Sequence, residues 1–365
     1  MTERVRDAVV VGGGPAGLAF AIAGASRGLD VTVLERRSGP LDKACGEGLL
    51  PGGVRALERL GALRHLGRQD AAPIAEIRWI DPGSDVVRLR LPSPGGLGIR
   101  RTALSAALLA RAREVGVEVI GSAEVTEHRR EPGGIRAVGP GGDVLGKVLV
   151  AADGLASPTR RREGLEALAP PRRPRFGVRR HISVPPWAEA VEVHFAHGAE
   201  AYVTPAGTHR VGIAILFEEG GPGRFEVLIR RFPALAGLVE AAEPDSAIRG
   251  AGPFDRRATA RVADRLVLLG DAAGYVDAVT GDGLALAFRC GEDLAAMLPA
   301  ALARGAGRDA LCPYEAIWRR YFRPYAAWTR SVLWVSRSRR LRRGVLAVAS
   351  ALPSPFERLV AAAVG

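Results

Sequence analysis

Four residues near the N-terminus have the types and spacing of a phosphate cradle. Gly12, Gly14 and Gly17 fall as G-x-G-x-x-G, and Glu35 follows at the distance that fingerprint requires, about 20 residues on. The first glycine permits a tight turn. The second lets backbone approach a pyrophosphate, and the third lets a helix pack close to a strand. A carboxylate at Glu35 can accept hydrogen bonds from a ribose. Far along the chain, Gly270-Asp271 offers a second carboxylate for sugar hydroxyls. Gly281 and Gly283 follow, where backbone can approach a planar ring closely.

These residues need elements to hold them. The apolar run 9–11 reads as a short buried strand, 18–23 as a helix and 31–34 as a second strand. The helix N-terminus then presents unpaired N–H groups and a positive dipole end to the phosphates. The run 265–269 is another buried strand, expected beside the first, and a helix opens after Gly283. Between these landmarks the pattern predicts a helix over 57–66 and strands within 74–91 that turn at Pro82-Gly83. It predicts a helix over 104–115 opened by Arg100-Arg101, and strands over 117–120 and 123–126. A hairpin at 140–143 joins 135–138 to 144–150. Residues 170–175 read as a crossing between domains. Residues 176–184, 190–195, 200–204 and 209–217 read as an antiparallel sheet.

The 365 residues suffice for two domains with an ample core. Cys45, Cys290 and Cys312 form no disulfide framework and no metal-binding spacing. His194 and His197 are a surface pair with no third ligand, so no metal is expected. No apolar run reaches the roughly 20 residues of a membrane span, and the nucleotide-binding unit starts too early for a cleaved leader. A cytoplasmic protein is expected. The net charge is +12, and its location is informative. No acid lies between Glu315 and Glu357, whereas nine arginines do. No nucleic-acid recognition motif accompanies them. A solvated helix face explains this stretch, and so does peripheral contact of the Arg-rich C-terminal region with an anionic membrane. The aromatic residues Trp318, Tyr321, Tyr325 and Trp328 recur there at helical spacing, with Pro324 expected to kink the helix.

Three separated motifs together resemble the flavoprotein monooxygenase and geranylgeranyl reductase superfamily. The glycine fingerprint is the first. The second, Ala151-Ala152-Asp153-Gly154-Leu155-Ala156-Ser157-Pro158-Thr159-Arg160, is similar to the family's Asp-Gly motif. The third runs from Gly270-Asp271-Ala272-Ala273-Gly274-Tyr275 through Thr280-Gly281-Asp282-Gly283-Leu284. The resemblance implies an α/β fold. A Rossmann-like FAD-binding domain of the glutathione reductase type is interleaved with an antiparallel β-sheet substrate domain, followed by C-terminal helices. The FAD-binding segments are expected at 1–72, 100–172 and 255–309, the substrate segments at 73–99 and 173–254, and the helical region at 310–365.

The same resemblance implies FAD as cofactor and NAD(P)H as electron donor. The expected cofactor contacts are Gly12, Gly14, Ala16, Gly17, Glu35, Arg36, Cys45, Gly46, Gly48, Arg101, Val125, Asp153, Gly270, Asp271, Gly281, Gly283 and Leu284. Arg101 is preferred to Arg100 because Arg101-Thr102-Ala103-Leu104 matches the family's R-x-x-L helix opening. Gly274 stands where aromatic hydroxylases carry His. That feature and the Lys43-Ala44-Cys45-Gly46-Glu47-Gly48 loop are more similar to the reductase branch, in which the Cys-Gly segment lies against the flavin. Cys45 and Glu47 are therefore candidate proton donors, against plain readings as a small apolar group and an exposed loop residue. Tyr202 and Pro205 end a strand where that branch carries a substrate motif, and they line a substrate pocket or simply finish the strand.

Two chemistries compete for a hydrophobic small-molecule substrate. The first is NAD(P)H-dependent hydroxylation or epoxidation of an aromatic, polyketide-like or isoprenoid compound, and it is narrowly favoured. The alternative is reduction of a double bond in an isoprenoid or quinone side chain. A reading from another class is a non-catalytic, membrane-associated flavin-binding protein. The oligomeric state is not legible.

Overall fold

The computed structural model describes residues 4–83, 86–167, 173–218 and 223–352, with 354, 355 and 357. The elements that frame the site are, in chain order, β1 (Arg6–Val11), α1 (Pro15–Ala25), β2 (Val31–Leu34), α2 (Arg101–Glu114) and β3 (Val144–Ala151). The four strands β4 (Phe176–Ile182), β5 (Ala190–Ala196), β6 (Ala199–Pro205) and β7 (Val211–Phe217) come next. Then follow β8 (Leu266–Leu268), α3 (Gly283–Ala303), α4 (Pro313–Arg337) and α5 (Arg339–Ala351).

The first sheet runs Val262–Ala263, β8, β3, β1, β2, Glu118–Ile120. The pairs β8–β3, β3–β1 and β1–β2, and that of β2 with Glu118–Ile120, are parallel. Parallel strands are covered on both faces and so read as unbroken apolar runs, which is why β1, β2, β3 and β8 are legible as VVV, VTVL and VLVA-like strings. Helix α1 crosses α3 closely: a Cβ on Gly291 would lie 3.1 Å from the Phe20 backbone nitrogen.

The second sheet has seven strands, in the order Arg249–Ala251, β4, β7, β6, β5, Glu76–Ile80, Val87–Arg90. One pairing, β5 with Glu76–Ile80, is parallel. Its register sets up a row: Arg179 opposite Ala214, Ala214 opposite Tyr202, Tyr202 opposite Val193, Val193 opposite Trp79. Alternation puts Glu200 and His181 on that same face. The opposite face buries Val178, Ala201, Val203, Ile213 and Ile215 against Phe225, Leu228 and Leu235.

Several expectations change. The predicted helix 57–66 is Pro51–Arg59, because Pro51 starts it early and Gly61, at φ +71°, ends it. A single 3-10 turn, Leu63–His65, follows. Residues 123–126 are not a strand. The Ala123 N–H bonds the Glu35 carbonyl, and Gly139 crowds the Glu124 carbonyl, so the segment crosses the sheet end instead of joining a ladder. The strand leading to Asp271 does not lie beside β1. β8 pairs with β3, which stands between them. The crossing expected at 170–175 lies partly outside the described residues.

Candidate functional site

At the end of β1 the Gly12 N–H bonds the Leu34 carbonyl at 2.8 Å, and the chain turns with φ +111°. A side chain there would meet the Ala152 carbonyl at 2.4 Å, and one on Gly17 would meet the Gly12 carbonyl at 2.1 Å. At Gly14 the direction of a Cβ is open, with nothing within 4 Å. Helix α1 starts at Pro15, has no side-chain cap and has no acid in its first turn. The N-terminus of α1 is thus open to an anion. Glu35 braces this turn, accepting from Gly13 N–H at 2.7 Å and from Arg37 N–H at 3.1 Å. Arg36 beside it is exposed.

Two further turns close on the cradle. Gly270, at φ +64°, comes so near Ala16 that a Cβ would sit 2.6 Å from the Ala16 methyl. Asp271 lies 3.5 Å from Lys43 Nζ of the cysteine loop. Asp153 caps the short helix Pro158–Arg162, accepting from Thr159 N–H at 2.9 Å, and its other oxygen is buried without a partner among the described residues. Arg160, wholly buried, ties the Asp-Gly turn to the Gly-Asp turn by donating to the carbonyls of Leu155 at 2.9 Å and Ala272 at 3.0 Å. Arg160 ends the Asp-Gly motif in the sequence, where nothing marks this tie.

Gly281, at φ +74°, and Gly283 flank Asp282, the N-cap of α3. Burial pushes the Asp282 carboxyl up to about 7, with Arg289 pulling the other way. Leu284 is half-buried against the main core, as is Val125. The loop before Gly281 is clamped from two sides. Tyr202 donates its hydroxyl to the Val279 carbonyl at 3.2 Å, and Tyr325 of α4 donates to the Asp277 carbonyl at 3.1 Å. The Thr280 and Thr329 hydroxyls pair at 3.2 Å. Trp318 and Phe322 stack at 4.1 Å, with Trp318 close enough to Gly274 that a Cβ would be 3.0 Å away. That contact and a φ of +152° favour glycine at 274. α4 runs unbroken through Pro324. Tyr202 thus joins the sheet to this loop, while Pro205 packs on Gly98 at the strand end.

The cysteine loop is held by buried charge. Glu47 adopts φ +61° and is buried, not an exposed loop residue. Its carboxylate accepts from Arg101 N–H at 2.8 Å and contacts His181 Nε2. His181 Nδ1 pairs with the Ser246 hydroxyl at 2.8 Å, and Arg179 reaches Asp42 and the Lys43 carbonyl. The Glu47 N–H donates to Cys45 Sγ at 3.4 Å, which fixes a half-buried thiol. No atom lies within 4 Å of a Cβ direction at Gly46, and Gly48 pairs with Gly98 in a short ladder. Arg101 is buried with its Nε unpartnered among the described residues.

A second buried cluster stands behind the loop. Arg175 donates to Glu200 at 2.6 Å and to Asp277 at 2.9 Å. Burial pushes the Asp277 carboxyl up to about 6; Glu200 adds to this and Arg175 opposes it. Of these two clusters the sequence exposes Glu47 alone; its partners His181, Arg179 and Asp42 and the whole Arg175 cluster carry no local signal. His194 meets Glu192 at 3.2 Å, and no group of metal-ligating side chains occurs among the described residues.

A glycine turn, an open helix N-terminus and a carboxylate after the second strand define a dinucleotide-cofactor protein of the parallel α/β class, with a second sheet facing its site. Residues 6–325 match the FAD binding domain family model, and the chain belongs to that family. It is 30% identical over 332 residues to the digeranylgeranylglycerophospholipid reductase of Methanoculleus marisnigri, covering 86% of this chain and 81% of that one. Among solved structures it is similar to a geranylgeranyl bacteriochlorophyll reductase-like protein of Thermoplasma acidophilum, with TM-score 0.75 and 22% identity over 87% of this chain and 84% of that one. It is also similar to PqsL, a probable FAD-dependent monooxygenase of Pseudomonas aeruginosa, with TM-score 0.77 and 23% identity over 94% and 100%. The protein is an FAD-dependent oxidoreductase. Its residues fit FAD: the open cradle at Gly14, the uncapped start of α1 and the orphaned Arg101 Nε suit a pyrophosphate.

Proposed function

We propose that this chain reduces carbon–carbon double bonds in an isoprenoid lipid, with NAD(P)H as the source of electrons. The observation that carries this reading is the loop 42–48. Glu47 anchors it to α2 and to β4, and so holds the half-buried Cys45 thiol in one place. Saturating an alkene needs a hydride at one carbon and a proton at the other. Reduced FAD, when bound, supplies the hydride. The Cys45 S–H supplies the proton, and water restores it to the thiolate. A fixed thiol is a better donor than a mobile one, because its lone geometry is set before the substrate arrives. The relative from Methanoculleus marisnigri supports the lipid substrate class by its name. An apolar cluster lies next to the glycine loop, where such a chain would run: Leu50 by Gly281, packed with Leu89, Leu91, Trp79 and Trp328.

This reverses the narrow preference for hydroxylation that the sequence alone supports. PqsL, at 23% identity, speaks to fold only. The test is to mix the reduced, FAD-loaded protein without oxygen with a lipid bearing geranylgeranyl chains, and to follow flavin oxidation and product mass together. Oxidation matched by hydrogen uptake across the double bonds is expected, and Cys45→Ala should slow it about 100-fold with flavin content unchanged. Product that forms only with oxygen and carries its label would overturn the proposal.

A further inference from the structure

Helix α5 packs on the second sheet through Arg342, Leu346 and Ala349, and leaves the rest of its circumference outside. That outer side is not polar. Leu341 (38% exposed), Val345 (38%), Val348 (60%) and Leu352 (56%) recur at the spacing of one helical stripe. Gly344, Ala347 and Ala351 continue the same exposed surface. One turn before the break at Ser338, Trp334 is 64% exposed. A stripe of large apolar side chains at helical spacing differs from the scattered apolar residues of an ordinary surface.

The charges around it select the occupant. Arg330, Arg339 and Arg340 are exposed and form no ion pair among the described residues. Arg337 pairs with Glu218, while Arg342 and Arg343 share Asp81, so two carboxylates on the body of the protein offset only part of this charge. No Asp or Glu occurs between residues 316 and 356. A second copy laid face to face on α5 would set these unpaired arginines against their own kind. An anionic surface with an apolar interior meets both features at once. We infer that the outer face of α5, with Trp334 and the unpaired arginines, docks the protein on an anionic lipid bilayer, the apolar stripe entering the headgroup boundary. This inference stands on exposure and charge, and holds whether the enzyme reduces or oxygenates its substrate.

The test uses the full-length, FAD-loaded protein and vesicles of phosphatidylglycerol and phosphatidylcholine in equal parts, against vesicles of phosphatidylcholine alone. Co-sedimentation is expected with the mixed vesicles, should weaken in high salt, and should be accompanied by a blue shift of tryptophan fluorescence. Val345→Asp with Val348→Asp should abolish it without changing the flavin spectrum, which reports an intact fold. Arg339→Glu and Arg340→Glu should each weaken it about fivefold or more, since an arginine near such a surface contributes about that factor. Three results would overturn the inference: no binding to either vesicle, equal binding to both that survives the aspartates, or a dimer by light scattering that the aspartates dissociate, which would assign the face to a second copy. Separately, loss of double-bond reduction in detergent with vesicle binding retained would count against the proposed reaction and leave the docking face standing.

Discussion

Two regions meet at the site, and they are built from different materials. The cradle around Gly12, Gly17, Gly270 and Gly281 is made of backbone: turns, amides and a helix end, with side chains excluded at Gly12 and Gly17 by carbonyls as near as 2.1 Å and at Gly270 by the Ala16 methyl. The junction with the second sheet is made of buried side-chain charge, in the Arg175–Glu200–Asp277 and Arg179–His181–Glu47 clusters. At Gly12, Gly17 and Gly270 such a site tolerates almost no added atom, but it needs no charge balance. Charge clusters tolerate changes of shape but not the loss of one sign. The first kind suits a cofactor part that never varies, such as a pyrophosphate. The second joins two sheets while keeping a loop in register.

That contrast can be pressed experimentally. The largest effect is expected at Arg175. Arg175→Met leaves Glu200 and Asp277 buried without their cation, and should cost about 3–5 kcal/mol in denaturant unfolding. A cost below 1 kcal/mol would erase the distinction between the regions. Gly17→Ala should come next, at about 3 kcal/mol with loss of bound flavin, because the methyl meets backbone that cannot give. Purification with full flavin content would show that the cradle yields more than its geometry suggests.

The pH response sharpens the comparison. Asp282 keeps its proton in the folded protein up to about 7, whereas the unfolded chain loses it near the usual carboxylate value of 3.8. The folded state binds more protons in that window, so stability falls as pH rises through it and is level above. Asp282→Asn should remove about 4 kcal/mol of that fall, leaving the smaller one from Asp277 that ends near 6. Chemical unfolding of the flavin-free protein at several pH values measures it, and an unchanged profile would refute the assignment. The smallest effect is expected at Glu35. Glu35→Gln keeps the shape but weakens the brace on Gly13, and should loosen FAD about fivefold by titration.

The same contrast explains what the sequence revealed. The cradle is local: its glycines, helix and acid lie within one βαβ unit, so spacing alone exposes it. The antiparallel strands β4 to β7 are short apolar-rich runs bounded by Pro and Gly turns, and are equally plain. The charge clusters join residues distant in sequence, as Glu47 joins His181, and no pattern in either segment announces the other. Glu47 reads as a loop residue because its burial comes from β4. The strand order around Asp271 was illegible for a related reason, since a short apolar run does not say which neighbour it pairs with. Val125 sits in a segment whose propensity favours a strand but whose hydrogen bonds go to Glu35 and Val138.

β8 also has a history in time. One edge of β3 is covered over its first half by the strand Gly134–Val138, and over Leu149 to Ala151 by β8 alone. β8 leaves the ribosome only after the entire second sheet. Until then the apolar stretch Leu149 to Ala151 stands open along one edge, a template for pairing with other chains. The glycines at 281 and 283 emerge later still. If those glycines complete the flavin site, a shortage of flavin should show as aggregation in growing cells.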